Sequence, residues 1–241
     1  MGIGQEFLEK TCFEHMGSSA QAQGAASPPV EESISGRVIE LPSPSGIEVP
    51  WIDLRVAIEE RRSVRDYTDT PLTLEELSFL LWCTQGVCEL YPSVTLRTVP
   101  SAGARHALET FLLVNNVREL PPGLYYFKAT AHALTELTLE STVAEAVAES
   151  CLGQNFIRTA AVNFIWTAVP YRMCWRYGER GYRYLHLDAG HACQNLYLAA
   201  RAVTCGVCAI GAYHDAYLNE IMGLDGLKQF VIYLAAVGKV R

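Results

Sequence analysis

The chain has 241 residues, half of them hydrophobic and 19% charged, enough to bury a core without disulfides or metal. A formal net charge of −7 and a pI near 5.4 argue against nucleic acid as a partner, because that role calls for a basic footprint. A small anionic ligand needs only a local cluster of positive charge and is not excluded.

The opening residues, MGIGQEFLEKTCFEHMG, lack the basic and apolar regions of a secretion signal. Glu6 stands where a myristoylation pattern wants Ser or Thr. The expected compartment is the cytoplasm, and no apolar run is long enough to predict a membrane span. Residues 17–36 are small, polar and proline-containing, and irregular character continues to residue 46. Residues 1–46 therefore read as an N-terminal arm and linker, and 47–241 as the ordered domain. A helix is predicted over 52–60, with Leu54, Ala57 and Ile58 on one face. Thr73 and Glu76 form a capping box that opens a second helix, with Leu74, Leu77, Leu80 and Leu81 on one side. Strands are predicted at 109–115 and 123–127, and a buried one at 161–169, bounded by Pro170. Segments 141–152 and 184–203 read as helices; the second is rich in Ala and Leu and is expected to be buried on most sides. Strands at 205–213 and 229–238 close the chain. Helices and strands mix without strict βαβ alternation, which predicts an α+β fold.

Arg61, Arg62 and Arg65 surround Ser63 in EERRSVRDYTD, directly after the first domain helix. Guanidinium forks match phosphate oxygens in pairs, and a serine hydroxyl can donate to the same group. The alternative is a solvated basic stretch paired with Glu59, Glu60, Asp66 and Asp69. If residues 231–241 form a strand, Lys239 and Arg241 share a face, and Gly238 allows close backbone approach there. A dianionic phosphate suits both clusters. Pro100, Ser101, Ala102 and Gly103 make a small-residue loop that can lie flat against a planar ring, or a simple turn before the next strand. Gly211 and Ala212 end a strand, where backbone N–H groups can meet a ligand.

In YRMCWRYGERGYRY, Arg172, Arg176, Arg180 and Arg183 recur at helical spacing, although Gly178 and Gly181 weaken a helix there. The stretch is either a cationic wall of a substrate pocket, with Tyr177 donating or accepting a proton, or an ion-pair or dimer-surface stripe. Cys205 and Cys208 form a CxxC without a second pair or a following HxxxH, and read as small residues of a buried strand. No metal site is predicted. His191 reads as a core or interface residue, whereas His106 and His214 flank the candidate loops and could contact substrate.

Together, GIGQEFLEKT, RRSVRDY…PLTLEELSFLLWCTQG, PSAGARHALETFLLV, GLYYF, RYGERGYRYLHLDAGHACQNLYLAA, AIGAY and VGKVR run over nearly the whole chain. In this order and spacing they resemble the FMN-dependent nitroreductase-like superfamily, specifically its SagB-type or thiazole/oxazole-dehydrogenase-like branch. The resemblance implies a mixed, mainly antiparallel sheet flanked by helices, in an intertwined homodimer with two FMN molecules at the interface. It implies that Arg61, Arg62 and Ser63 hold the phosphate and ribityl end, with Lys239 and Arg241 completing the phosphate site. Arg65 would reach the pyrimidine side, Pro100 to Gly103 would cover the ring from the partner subunit, and Gly211 and Ala212 would offer an N–H to flavin N5. The implied activity is two-electron (hydride) transfer through flavin N5 on a small or peptide-derived substrate, with Arg176 and Tyr177 as catalytic residues. NAD(P)H is a candidate electron donor, though no GxGxxG fingerprint is present to settle it. Azoline-oxidising relatives carry Lys-Tyr where this chain has Arg176-Tyr177, and arginine does not readily lose its proton. The other reading is a flavin-loaded subunit that scaffolds a biosynthetic complex without turnover.

Overall fold

A computed structural model describes residues 2–241. In chain order it contains α1 (Ile3–Lys10), β1 (Val38–Glu40), α2 (Leu54–Glu60), α3 (Leu74–Gln85), β2 (Val87–Tyr91), β3 (Val94–Arg97), β4 (Leu108–Val114), β5 (Gly123–Lys128) and β6 (Ala133–Thr138). It continues with α4 (Thr142–Ser150), α5 (Phe156–Thr159), β7 (Val162–Ala168), α6 (Pro170–Tyr177), α7 (Gly181–Ala202), β8 (Cys205–Ile210), α8 (Asp215–Ile221) and β9 (Phe230–Lys239). Seven strands form one sheet in the order β1-β6-β5-β4-β7-β9-β8, every neighbouring pair antiparallel; β2 and β3 make a separate hairpin.

The central strands are buried on both faces, which explains why they read as continuous apolar runs rather than alternating ones. Along β4, Leu108, Leu112 and Val114 enter one core with Leu77 and Leu80 of α3 and Leu185 and Leu196 of α7. Phe111 and Leu113 enter a second core with Val147 of α4, Ile157 of α5 and Leu218 of α8. This is the expected α+β architecture, with a mainly antiparallel sheet flanked by helices. The α3 capping box forms as predicted: Thr73 N–H donates to Glu76 Oε2 at 2.9 Å, and Glu76 N–H to Thr73 Oγ1 at 3.2 Å. Among the described residues no helix is long and apolar enough to cross a membrane.

Part of the arm and linker before residue 47 is tied to the domain. β1 pairs with β6 as an edge strand, and Glu32 N–H donates to the buried Glu109 carboxylate at 2.9 Å. The expected apolar face of α2 is buried only at Ala57, while Leu54 is 64% and Ile58 55% exposed, because the helix meets the fold along one line, against α7. The long helix α7 is buried or half-buried on most sides, as expected, apart from one exposed stripe of His186, Leu187, Gly190, His191 and Gln194.

Candidate functional site

Residues Arg61 to Arg65 leave the C-terminus of α2 and run alongside β8. Ser63 forms a parallel bridge with Val207, and Val64 N–H donates to Val207 C=O at 2.9 Å. This contact needs Gly206, where a Cβ would overlap the Val64 side chain. The first turn of α2 is held by Asp53, whose carboxylate accepts from the Arg55 and Val56 N–H groups. The segment is thus anchored at both ends while Arg62, Ser63 and Arg65 remain exposed.

Tyr197 of α7 organises the floor of this region. Its hydroxyl accepts from Ala209 N–H at 2.9 Å and lies 3.0 Å from Ser63 Oγ, and the Arg61 guanidinium sits over its ring, 5.0 Å from the centroid. Arg61, Arg62, Tyr197, Arg201 and Val240 line a cleft of about 150 Å³. Arg62 donates to the Glu59 and Arg61 carbonyls, and the Arg65 guanidinium lies 6.0 Å from the Phe156 ring centroid. The self-paired alternative for this stretch is not what folding produces. Glu60 pairs with Arg201 and Glu59 with Arg55, so Arg61, Arg62 and Arg65 have no carboxylate partner among the described residues.

Lys239 differs from its expected placement. β9 ends at Lys239, so Arg241 lies beyond the strand and is exposed. The Lys239 ammonium pairs with Glu76 and donates to the Val203 C=O at 2.7 Å. Glu76 therefore caps α3 through one carboxylate oxygen and neutralises Lys239 through the other. Gly238 does permit close approach, but it is the Tyr67 ring that fills the space.

A second cluster joins Pro100–Gly103 to Arg176 and Tyr177. The Ser101 hydroxyl donates to Asp188 of α7 at 2.5 Å, and Ala102 N–H donates to the same carboxylate at 3.3 Å. Burial raises the Asp188 carboxyl above its usual range, against the opposing pull of those two donors. Gly103 has φ 58°, and a Cβ there would overlap the Tyr177 hydroxyl and come within 3.0 Å of Arg176 Nε. The small residue is thus required by an approaching side chain of the same subunit. Edge-to-face packing holds the Tyr177 ring on Tyr184, 4.9 Å between centroids at 73°. His106, at φ 43°, is buried behind the loop, and its imidazole is held down to about 3 by burial and by the Arg97 and Arg105 charges. It is 5% exposed in the single chain.

The four arginines of 171–184 do not share a face. A left-handed Gly178 (φ 52°) breaks the helix between α6 and α7, so the four do not form one cationic face, and of the two readings of the stretch the ion-pair one describes Arg172. Arg172 is buried and pairs with Glu109 (2.5 Å) and Glu32 (2.8 Å); Arg180 and Arg183 bind the N-terminal segment; only Arg176 stays beside Tyr177.

Gly211 and Ala212 are exposed just past β8. Ile210 pairs with Leu234 and Ala168 with Phe230, which puts Gly211 and the start of α6 at the same end of the sheet. A groove of about 510 Å³ lies at that end, lined by Pro170, Tyr171, Tyr182 and Leu227 among others. Cys205 and Cys208 are buried free thiols of β8, three positions apart and so on opposite faces; burial pushes Cys205 up to about 12. His191 and His214 are exposed in the single chain. Sequence reasoning missed Asp188 and Tyr197. Asp188 left a signal as the lone carboxylate in the apolar run of α7; Tyr197 left none.

Asp188 and Tyr197 are nine residues apart on α7, about 14 Å along the axis at 1.5 Å per residue. The two clusters are therefore separate within one chain.

The Nitroreductase family profile matches residues 58–239. A nitroreductase-like protein of Methanocaldococcus jannaschii is 35% identical over 192 residues, 80% of this chain and 93% of that protein. The crystal structure of a nitroreductase-like protein from Anabaena variabilis is 32% identical with a TM-score of 0.70; the match covers 86% of this chain but only 42% of that one. A nitroreductase-like structure from Desulfovibrio desulfuricans in complex with FMN shares the fold, at 20% identity and a TM-score of 0.56 over 78% of this chain and 86% of that one.

Proposed function

The chain belongs to the nitroreductase family, and from that premise we propose that it is an FMN-dependent oxidoreductase acting on a small or peptide-derived substrate. The observation that carries this reading is the Arg61–Arg65 segment, three guanidinium groups and a serine hydroxyl laid along β8 with no carboxylate to neutralise them. Such a set fits a phosphate-bearing ligand, and the FMN in the Desulfovibrio structure carries a phosphate. When bound, FMN supplies two-electron (hydride) chemistry at N5.

Arg61, Arg62 and Ser63 would hold the phosphate and ribityl end, with Arg241 within the same terminal region and Lys239 recruited at the expense of its pair with Glu76. Arg65 would place its charge at the pyrimidine edge, where a cation stabilises the anionic reduced ring. Gly211 and Ala212 would present backbone N–H groups to N5. Pro100 to Gly103, held by Asp188, would cover the ring, and Arg176 and Tyr177 would face substrate, with the Tyr177 hydroxyl able to donate or accept a proton. NAD(P)H is the proposed electron donor.

The anchors of these clusters, Asp188 and Tyr197, lie about 14 Å apart along α7, and in the homodimer proposed here the Pro100–Gly103 loop that covers a ring held by Arg61–Arg65 would come from the second copy. The exposed stripe of α7, which carries Leu187 among polar residues, and the exposed Leu54 and Ile58 of α2 would offer surface for such a homodimer.

Protein purified with added FMN should be yellow, release FMN on heating and scatter light as a dimer. Arg65→Ala should weaken FMN retention or lower its reduction potential, by an amount equivalent to about 1.5–3 kcal/mol for a hydrogen bond to a charged group. Tyr177→Phe should leave both intact while slowing the substrate half-reaction, general acid–base help being typically worth about 10²–10⁴-fold. A colourless protein that fails to take up FMN would remove the cofactor assignment.

A further inference from the structure

Residues 2–32 lie outside the stretch that matches the family profile, yet they bind the 172–183 segment at four points, Arg172, Trp175, Arg180 and Arg183. The two run antiparallel. Glu32 accepts from Arg172 at 2.8 Å. Ala25 C=O accepts from the Trp175 indole N–H at 3.0 Å, and Gln21 N–H donates to Trp175 C=O at 2.8 Å. Thr11 C=O accepts from Arg180 at 3.0 Å, and Thr11 Oγ1 from Arg183 Nε at 2.6 Å. Thr11 is 4% exposed although it follows a helix, α1, that has no buried residue of its own. Arg176 and Tyr177 lie between these anchor points and make no hydrogen bond to the strap.

The Thr11 anchor reaches Tyr177 through two contacts. Arg180 Nε donates to the Tyr184 hydroxyl at 2.8 Å, and the Tyr184 ring supports the Tyr177 ring edge-to-face. Gly178, at φ 52° and ψ −147°, closes α6, its N–H donating to the Cys174 C=O, and it brings no side chain to hold the turn, so packing comes from the residues on either side. We infer that the N-terminal strap is a positioning element: by holding Arg180, and through it Tyr184, it fixes the Tyr177 hydroxyl against the Gly103 loop for the substrate step. Arg180 and Thr11 are positioning residues, and the inference rests on the substrate-facing role given to Tyr177 above.

The test uses the full-length, FMN-loaded protein and the variants Arg180→Met, Arg180→Lys, Tyr177→Phe and Arg180→Met/Tyr177→Phe. Hydrogen exchange of amides 174–184 is read alongside FMN affinity. Anaerobic single-turnover reoxidation of the photoreduced flavin is measured with nitrofurazone as probe. In Arg180→Met, exchange over 174–184 should rise while β4 and β7 stay protected and FMN affinity is unchanged. Reoxidation should slow about 10- to 100-fold, the scale of a misplacement near 1 Å. Arg180→Lys should recover most of the rate. The double variant should be no slower than Tyr177→Phe alone, because a residue acting through Tyr177 has nothing left to position. Unchanged exchange in Arg180→Met, or additive slowing in the double variant, would overturn the inference. A silent Tyr177→Phe overturns the role of Tyr177 itself. The exchange data, indifferent to turnover, separate that result from a failure of the strap.

Discussion

Gly103→Ala tests the link between the Pro100–Gly103 loop and Tyr177. Two costs follow from the geometry. At φ 58° an L-residue with a Cβ is strained by roughly 1–2 kcal/mol. The new methyl also overlaps the Tyr177 hydroxyl oxygen, so the ring must shift off Tyr184, giving up an edge-to-face contact worth about 0.5–1.5 kcal/mol. The sum, about 1.5–3.5 kcal/mol, corresponds to a fall in Tm on the order of 3–14 °C for a chain of this size. The oxygen is the point of overlap, so Tyr177→Phe should relieve the second cost and leave the first. Thermal unfolding of the four members of the Gly103→Ala/Tyr177→Phe cycle reads this directly, and the coupling should be about 0.5–1.5 kcal/mol. In the Tyr177 background, Gly103→Ala should also slow the substrate half-reaction, because it moves the hydroxyl. Additive effects, or a Gly103→Ala protein as stable as the parent, would show that the loop and Tyr177 do not meet as described.

Further outcomes follow from the buried charges. Arg172→Met should cost about 3–5 kcal/mol in denaturant unfolding, because it leaves Glu109 charged and unpaired at 3% exposure. His106 is neutral when folded down to about pH 3 but titrates near 6.5 unfolded, so its contribution is fully present above 6.5 and is lost as pH falls toward 3. His106→Asn, which tolerates the positive φ, should therefore remove about 1.4 kcal/mol per pH unit of acid sensitivity within that window, measured as the difference between the two stability–pH curves. Glu76→Gln keeps a residue able to close the capping box but frees Lys239, so FMN should bind several-fold tighter in fluorescence titration. Unchanged affinity would place Lys239 outside the phosphate site.

Much of the fold was legible because its signals are local. Apolar runs at 109–115 and 161–169 marked the two most buried strands, and Thr73 with Glu76 marked the start of α3. The edge strand β1 and its neighbour β6 were not legible: β1 is three residues long, and β6 carries Thr and Glu on a partly exposed surface, so neither shows a clear apolar period. The arginine-rich stretch at 172–183 misled for a related reason. Spacing alone put four guanidinium groups on one face, but the left-handed Gly178 rotates the two halves apart, and each arginine takes the partner nearest to it.

The sequence by itself determined the α+β class, the capped helices, the central strands and the clustering of Arg61, Arg62 and Arg65 around Ser63, because periodicity, caps and residue chemistry depend only on near neighbours. Tertiary structure alone decided which charges stay free. Glu76 meets Lys239 across 163 positions and Glu60 meets Arg201 across 141, whereas no carboxylate reaches Arg61, Arg62 or Arg65 among the described residues. It also decided why Gly103 must be glycine, since Tyr177 approaches from another element, and that the segment before the family domain grips the turn beside it. Such contacts join residues far apart in the chain. Their partners are chosen by how the sheet and α7 pack, a property that no local stretch of sequence contains.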